Sequence, residues 1–245
     1  MDYKLIDSGN EQKLERFGEV TLIRPSLSAV WQPQMPLKVW QKASASFSRD
    51  AGNEWKQKSP LPKEWVISVQ GIRFKLKCTD FGHLGIFPEQ APLWNLIRTE
   101  VAKKKNAKVL NLFAYSGGST MAAALGGAEV CHLDAAKGMV AWARENAVLN
   151  GLEKHPIRWI VDDVMKFLAR EVRRLKVSKE RYDAIILDPP SFGRGKSGEV
   201  FKIERDLPVI FKYCLELLSD DPLFLLFSCH TPGYTPIALK QLLSQ

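Results

Sequence analysis

The chain has 245 residues, 45% of them apolar, and a formal net charge of +8. This length suits one large domain or a catalytic domain with a smaller appendage, and the apolar content excludes a disordered chain. The positive charge is compatible with a polyanionic partner such as a nucleic acid, although surface solubility explains it almost as well.

The cysteines and the N-terminus bear on location and on metal binding. The four cysteines form neither a CxxC pair nor a His/Cys ligand spacing, so we expect no metal site and no disulfide framework. The first residues are too polar for a signal peptide, and no uncharged apolar run approaches the roughly 18 residues of a membrane span. We therefore expect a soluble cytoplasmic protein of undetermined oligomeric state.

Residues 1–90 have a composition of their own. Four tryptophans lie between positions 31 and 65, and five prolines between 25 and 62 interrupt any helix. Alternating apolar residues over 65–87 predict a β-meander, with turns at Gly71 and within 80–85. We expect a small β-rich domain over 1–90 that can bind substrate, followed by a helix over 91–104.

After residue 105 short apolar strands alternate with helices. Strands are predicted at 108–113, 129–133, 157–161, 182–187 and 223–227, and helices at 119–126, 136–150, 164–176 and about 204–218. This pattern predicts a doubly wound, mostly parallel α/β sheet over 91–245. Such sheets bind ligands beyond the carboxyl ends of their strands, where the strand order reverses, so we expect the chemistry there.

The first three strands end in residues suited to an adenosine. Gly117 and Gly118 form a turn before a helix, without the GxGxxG spacing of a dinucleotide site; a mere tight turn is the alternative. Asp134 can accept ribose hydroxyls, or cap the next helix. Asp162 and Asp163 can accept from the adenine amine, and one of them can be only a cap. Together these residues predict a pocket for an adenosine without phosphates.

The fourth and fifth strands end in residues suited to a reaction. Asp188 can orient a planar polar edge, and Pro189 with Pro190 would form a rigid rim beside it. Cys229 follows the fifth strand at the same edge. It is either a small buried hydrophobe or a reactive thiol, and reactivity would require a neighbouring positive charge or helix dipole.

The loop after the two prolines carries candidate substrate contacts. Phe192 can stack on a base or pack into the core. Arg194 and Lys196, separated by glycine, can hold phosphates or form a solvated loop.

Five motifs, in order, carry a resemblance to a known family: NLFAYSGG, LDAAKGMVAWARENAVLNG, DDVMKFL, LDPPSF and FSCH. They closely resemble the motifs of class I methyltransferases that form 5-methylcytosine in large-subunit ribosomal RNA, over about 90–231. The segments KLIDSGNEQKLERFG and FGHLGIFPEQ are similar to a subgroup of this family that lacks the RNA-binding PUA domain.

The resemblance implies a Rossmann-like domain that binds S-adenosylmethionine and acts on ribosomal RNA. The thiolate of Cys229 would add to carbon 6 of cytosine, and Asp188 would polarise the cytosine edge beside the cofactor. The substrate side would include Pro189, Pro190, Phe192 and Arg194. The cofactor would be held by Gln90, Phe113, Tyr115, Ser116, Gly117, Gly118, Asp134, Asp162, Asp163 and Asp188.

Three features depart from the family pattern. The loop FGRGKSGEV replaces the usual sequence after Asp-Pro-Pro, and His230 stands where a small hydroxyl residue usually follows the cysteine. The sequence given ends one short helix after the fifth strand, whereas the usual fold adds two more strands, so we expect the last strands to be lacking.

Two other functions remain open. The first is methylation of an exocyclic amine, which needs no cysteine and favours an aromatic directly after Asp-Pro-Pro, where Ser191 stands. The second is a catalytically inactive RNA-binding relative. A NAD-dependent oxidoreductase is disfavoured because the phosphate fingerprint is missing.

Overall fold

The computed structural model describes residues 2–49, 52–194 and 200–243, with the backbone alone at Arg194. The chain divides into two units, Met1–Ala91 and Pro92–Gln245, and each is described by itself.

The first unit contains a five-stranded sheet and a separate hairpin. The sheet has the order β1–β2–β3–β4–β5, and its β3–β4 pair is parallel while the others are antiparallel. Buried residues alternate with more exposed ones along β3, where Leu22 is buried, and Leu14 and Phe17 of β2 are buried as well. The elements are β1 (Tyr3–Gly9), β2 (Gln12–Phe17), β3 (Val20–Pro25), α1 (Leu37–Trp40), β4 (Ala45–Ser48), β5 (Glu54–Gln57), β6 (Trp65–Val69) and β7 (Ile72–Leu76).

The predicted meander over 65–87 is only partly present. β6 and β7 form an antiparallel hairpin whose two-residue turn, Gln70 and Gly71, has positive φ at both positions, as a type I′ turn requires. Beyond β7, Gly82 and Gly85 have φ of +75° and +91°. The predicted turn within 80–85 is therefore present, but among the described residues no strand follows it before the 3₁₀ turn at Pro88–Gln90.

The second unit contains a parallel five-stranded sheet. A 3₁₀ turn at Pro88–Gln90 precedes the first helix, which ends at Val101 rather than at the predicted residue 104. The order of strands across the sheet is β10–β9–β8–β11–β14, and every pair is parallel. The elements of the sheet and its helices are α2 (Ala91–Val101), β8 (Lys108–Leu112), α3 (Gly118–Leu125), β9 (Glu129–Asp134), α4 (Lys137–Leu149), β10 (Ile157–Val161), α5 (Val164–Ser178), β11 (Ala184–Leu187), α6 (Ile203–Leu217), β14 (Phe224–Phe227) and α7 (Pro236–Leu243). A short antiparallel pair, β12 (Phe192–Arg194) and β13 (Val200–Lys202), lies between β11 and α6.

The predicted doubly wound α/β fold is confirmed, with small shifts at the strand ends. The strand β8 stops at Leu112 because Phe113 takes a left-handed conformation. β11 begins two residues later than predicted. Its predicted first residue, Tyr182, instead bridges to Leu218, just after α6.

The strand order indicates where on the sheet a ligand would bind. β8 is first in sequence yet lies in the middle of the sheet, with β9 and β10 on one side and β11 and β14 on the other. The order therefore reverses between β8 and β11, where open parallel sheets form a crevice at the carboxyl ends of the strands. In the part of the chain that the structure describes, β14 has a strand neighbour on one side only. None of the described helices has both the length and the apolar character needed to cross a bilayer.

Candidate active site

The turn between β8 and α3 is held in an unusual backbone conformation. Phe113, Tyr115 and Gly117 have φ of +54°, +50° and +88°. A non-glycine residue in this region costs about 1–3 kcal/mol, so surrounding contacts must hold the turn. One such contact is clear: the buried Asn146 donates through Nδ2 to the carbonyl oxygen of Ser116 at 2.9 Å. Strained turns of this kind cluster at functional sites.

The two glycines of this turn are required by packing. A Cβ on Gly117 would lie 3.1 Å from the side chains of Met121 and Ala143. A Cβ on Gly118 would lie 2.8 Å from the ring of Trp94. Protein side chains thus occupy both directions in which a Cβ would point, and the predicted cofactor contact of these glycines stays a prediction.

Asp134 ties two strand ends together. Its Oδ2 accepts from the backbone N–H of Tyr115 at 2.9 Å, and its Oδ1 accepts from the N–H of Ala136 at 2.8 Å. Burial raises the pKa of this carboxyl, and the two N–H groups oppose the rise. A carboxylate has about four acceptor positions, so two remain for ribose hydroxyls. The structural role and the predicted ligand role are therefore compatible.

The two acidic residues after β10 have different partners. Asp163 is the N-cap of α5, and its Oδ1 accepts from the N–H of Lys166 at 3.0 Å. Asp162 pairs through Oδ2 with Arg170. The N–H of Asp162 also donates to the carbonyl of Asp134 at 3.2 Å, which places the ends of β9 and β10 side by side. The capping alternative holds for Asp163, and the adenine contact stays a prediction for both.

Asp188 lies at the carboxyl end of β11, against the end of β14. Ser228 Oγ donates to Asp188 Oδ1 at 2.6 Å, and His230 Nε2 lies 3.2 Å from the same oxygen. Side chains two positions apart along an extended chain face the same side, so Ser228 and His230 both face this carboxylate. The carboxylate thus has a defined orientation in which it can act on a bound planar group.

Cys229 lies between these two residues. Its side chain is half-buried and packs against the core cluster that includes α6. Burial raises the pKa of Tyr234, and the charges of Glu204 and Cys229 raise it further. The predicted role of Cys229 as nucleophile stays a prediction.

The rim after Asp188 is formed by a buried and an exposed proline, Pro189 and Pro190. Ser191 Oγ and Thr231 Oγ1 are 2.8 Å apart, which joins this rim to the segment after β14. Phe192 is 50% exposed. The core-packing alternative for Phe192 is therefore wrong, and stacking on a base stays a prediction.

Three further candidates from the sequence are Gln90, Arg194 and Lys196. Gln90 belongs to the first unit, where its N–H donates to the carbonyl of Phe87 at 3.1 Å. Arg194 ends β12, opposite Val200. Lys196 lies outside the residues that the structure describes. Their predicted roles stay predictions.

Sequence reasoning missed the buried polar residues beneath the turn. Asn146 is fully buried on α4, and a fully buried chain of hydrogen bonds joins Asn111, Thr120 and His132. Asn111 Nδ2 donates to Thr120 Oγ1 at 2.9 Å, and that oxygen lies 2.8 Å from His132 Nδ1. The signal was available for Asn111, a lone amide within an apolar strand.

A cavity of about 360 Å³ lies at the opposite, amino-terminal edge of the sheet. Its buried Glu171 accepts from Tyr182 at 3.0 Å, and from Arg158 and Arg174 at 3.3 Å each. The charges at its centre are thus already paired within the protein. Despite its size, this cavity is distant from the strand ends that carry the candidate residues.

The carboxyl edge suits an adenosine with an amino-acid tail. α3 begins at Gly118 without a side-chain cap, so its first N–H groups are available to an anionic group such as a carboxylate. Asp134 offers acceptor positions one strand away. Among the described residues, no group of three or more His, Cys, Asp or Glu is placed to hold a metal ion.

Comparison with known proteins agrees with this geometry. A family model for S-adenosylmethionine-dependent methyltransferases matches residues 14–239. This match covers most of the chain, so the chain belongs to the S-adenosylmethionine-dependent methyltransferase family, whose cofactor is S-adenosylmethionine.

Two curated relatives and one solved structure are similar to this chain over most of its length. The ribosomal RNA large subunit methyltransferase K/L of Magnetococcus marinus is 33% identical over 172 residues, which are 69% of this chain and 22% of that protein. Its counterpart in Shewanella baltica is 30% identical over 207 residues, 83% of this chain and 27% of that protein. This chain therefore spans about a quarter of the length of these relatives. The crystal structure of the SAM-dependent methyltransferase from Agrobacterium tumefaciens is 42% identical, with a TM-score of 0.93, and the match covers 99% of this chain and 77% of that chain.

Proposed function

We propose that this protein transfers a methyl group from S-adenosylmethionine to RNA, with large-subunit ribosomal RNA as the substrate. The names of its curated relatives support this substrate, and the net charge of +8 suits a polyanion. The observation that carries the proposal is the fixed carboxylate of Asp188 at the strand-order reversal, with the half-exposed Phe192 four residues further on. A carboxylate that orients a base edge and an aromatic ring that stacks on it are the two contacts that recognition of an unpaired base needs.

We propose further that the methyl group goes to carbon 5 of a cytosine. This carbon is a poor nucleophile, so the chemistry needs a thiolate, and Cys229 matches the nucleophile of the family that the sequence resembles. The thiolate adds to carbon 6, and the electron pair released at carbon 5 attacks the methyl carbon of the cofactor, whose sulfonium leaves as a thioether. Carbon 5 then loses its proton, and the carbon–sulfur bond to Cys229 breaks to restore the ring.

A second candidate, methylation of an exocyclic amine, has one observation in its favour. Ser228 and His230 both face Asp188, while the thiol of Cys229 packs against the core. An amine that donates to Asp188 would need no thiol. Ser191 in place of an aromatic after the two prolines counts against this candidate.

The test is nucleoside mass spectrometry of RNA from cells that lack the protein, followed by methyl transfer from the cofactor to that RNA in vitro. Loss of one methyl mark, restored by the purified protein, is expected. A retained set of marks would contradict the proposal. A lost methylcytosine supports the carbon-5 route, and a lost N-methyl base supports the second candidate.

Two properties complete the proposal. The enzyme works in the cytoplasm, where ribosomal RNA is found in bacteria such as those that contain its relatives. RNA affinity falls with added salt, because binding releases counterions from the phosphates. An inactive RNA-binding relative would bind RNA without binding S-adenosylmethionine in calorimetry, and this result would overturn the catalytic proposal.

A further inference from the structure

The first unit carries a small, positively charged cavity beside an exposed aromatic ring. The cavity has a volume of about 120 Å³, roughly four times the volume of a water molecule. Its walls include the basic residues Lys13, Arg24 and Arg49 and the rings of His83 and Phe87. All of these residues belong to one unit, so the cavity is complete within it.

A rigid loop at the mouth of this cavity exposes Phe81. The N–H and Oγ1 of Thr79 both donate to the carbonyl of His83, at 3.1 and 2.9 Å, and the N–H of Gly82 donates to the carbonyl of Thr79 at 3.0 Å. Trp55 Nε1 donates to the same Thr79 carbonyl at 2.9 Å. A loop so restrained nevertheless leaves Phe81 73% exposed.

Gly82 and Arg24 fix the loop on the sheet. A Cβ on Gly82 would lie 2.6 Å from the ring of Phe47, so only glycine allows this approach. Arg24 Nη1 donates to the carbonyl of Gly82 at 3.2 Å, while its Nε and Nη2 bind the buried Glu15 at 2.8 and 3.0 Å. The position of Phe81 is therefore set before any partner binds.

The cavity has a positive electrostatic character. Burial lowers the pKa of His83, and Arg24, Arg49 and Lys13 lower it further, while Glu89 opposes them. Three cations thus act on the same imidazole. Glu15 is fully buried and pairs with Arg24 and, at 3.3 Å, with Lys13, so these two cations share its charge within the wall. Glu89 also lines the cavity, which leaves a net positive lining. An anion that entered the cavity would meet cations on more than one side.

We propose that this cavity and Phe81 form a nucleotide-binding site for single-stranded RNA, which we call the Phe81 site. One phosphate occupies the cavity against Arg49, beside the ion pair of Lys13 with Glu15, and an adjoining base stacks on the Phe81 ring. The cavity is too small for a whole nucleotide, so the base must lie outside it, on the exposed ring. The site rests on the proposed RNA substrate and extends it to a second contact, away from the methylated base.

A basic cavity beside an exposed aromatic ring favours an RNA strand over other anions. Single-strand platforms pair a basic groove along the backbone with aromatic rings that stack on successive bases, and every base offers a face for stacking. A free phosphate would use the cations and leave Phe81 without a function. Stacking is worth about 5- to 100-fold in affinity per base, which fits a ring that the protein holds exposed.

The test measures binding of a labelled single-stranded oligoribonucleotide of about 12 nucleotides, within the known range of site sizes, to the full chain. Phe81→Ala is expected to weaken binding about 5- to 100-fold, and Phe81→Trp to preserve it. Arg49→Ala is expected to reduce the slope of log affinity against log salt by about 0.7, the share of one phosphate. Leu27→Ala and Arg16→Ala, two exposed positions outside the cavity, serve as matched controls and should bind as the wild type does.

The outcomes separate this site from the proposed function. If the wild type methylates RNA and Phe81→Ala binds the oligonucleotide equally well, the Phe81 site is wrong and the methylation proposal stands. If Phe81→Ala loses affinity while the wild type methylates no RNA, the Phe81 site stands and the methylation proposal is wrong. Failure of the wild type to bind the oligonucleotide, or equal losses in the two controls, would overturn the Phe81 site.

Discussion

Ser228 Oγ donates a 2.6 Å hydrogen bond to Asp188 Oδ1, which joins the carboxyl ends of two neighbouring parallel strands. The bond fixes the carboxylate before substrate binds. A hydrogen bond to a charged group contributes about 1.5–3 kcal/mol, so Ser228→Ala is expected to slow methyl transfer about 10- to 150-fold. Because Asp188 is also a predicted cofactor contact, cofactor affinity should fall in this variant if Asp188 binds the cofactor, and stay unchanged if Asp188 acts on the substrate alone.

Steady-state kinetics and calorimetry with S-adenosylmethionine measure the two quantities separately. Ser191→Ala is the matched control, because it removes a hydroxyl that bonds to Thr231 at the same rim without contacting Asp188. Equal rates for Ser228→Ala and the wild type would show that orientation of Asp188 by this bond has no catalytic value.

Removal of the Asp134 carboxylate is expected to weaken binding of S-adenosylmethionine by about 1–3 kcal/mol, the cost of leaving polar groups unpaired. The loss has two sources: the ribose hydroxyls lose an acceptor, and the N–H of Tyr115, in the turn between β8 and α3, loses its partner. Calorimetry with Asp134→Ala measures the sum. Wild-type affinity would mean that Asp134 has a structural role alone.

Two substitutions at Asp163 can separate its capping role from its predicted contact with adenine. Asp163→Ala is expected to lower the free energy of unfolding by about 1 kcal/mol, because the N–H of Lys166 loses its acceptor. Asp163→Ser restores the cap without a carboxylate, and urea unfolding should show recovery of stability. If Asp163 also binds adenine, both variants lose cofactor affinity; if Asp163→Ser binds the cofactor normally, the adenine contact is wrong.

Replacement of Cys229 by alanine is expected to abolish methyl transfer while cofactor binding stays intact, because the carbon-5 route requires a thiolate. Methyl transfer to RNA and calorimetry measure the two effects. Cys78→Ala is the matched control: Cys78 is also half-buried, burial raises its pKa to about 11, and it lies in the other unit. Full activity of Cys229→Ala would contradict the carbon-5 route and favour the amine.

Stability is expected to fall as the solution is acidified below neutrality, in part because of His132. Burial, with a smaller contribution from Arg144, lowers the pKa of this imidazole to about 3. The unfolded chain binds a proton near pH 6.5 while the folded chain does not, so the folded state loses about 2 kcal/mol between pH 7 and pH 5 through this group. The stabilisation is complete above the unfolded pKa and is lost as the pH falls towards the folded value.

Urea unfolding of the wild type and of His132→Gln at both pH values tests this prediction. The difference between the two proteins isolates His132 from other groups with shifted pKa values, such as His83, which remain in both. The variant should show a shallower loss of stability on acidification. Parallel losses in the two proteins would show that His132 does not titrate in the unfolding equilibrium as proposed.

The sequence alone determined the sheet and the edge at which the candidate residues lie. The three central strands of the parallel sheet, β8, β9 and β11, are buried on both faces, and this leaves continuous apolar runs that can be recognised without a structure. Because parallel strands share one direction, residues after each run must meet at the same edge. Asp134, Asp162 and Asp188 were found in this way, and contacts between strand ends in the structure agree with it.

Only the tertiary structure decided what each of these residues contacts. The bond from Ser228 to Asp188, the 50% exposure of Phe192 and the fixed loop that presents Phe81 all depend on partners distant in sequence or on the path of a loop. The meander prediction was partly wrong for the same reason, since apolar alternation after the turn within 80–85 describes burial and does not show whether those residues pair as a strand. Apolar periodicity is a local property of the chain, whereas hydrogen-bond partners and solvent exposure are set by how distant segments pack.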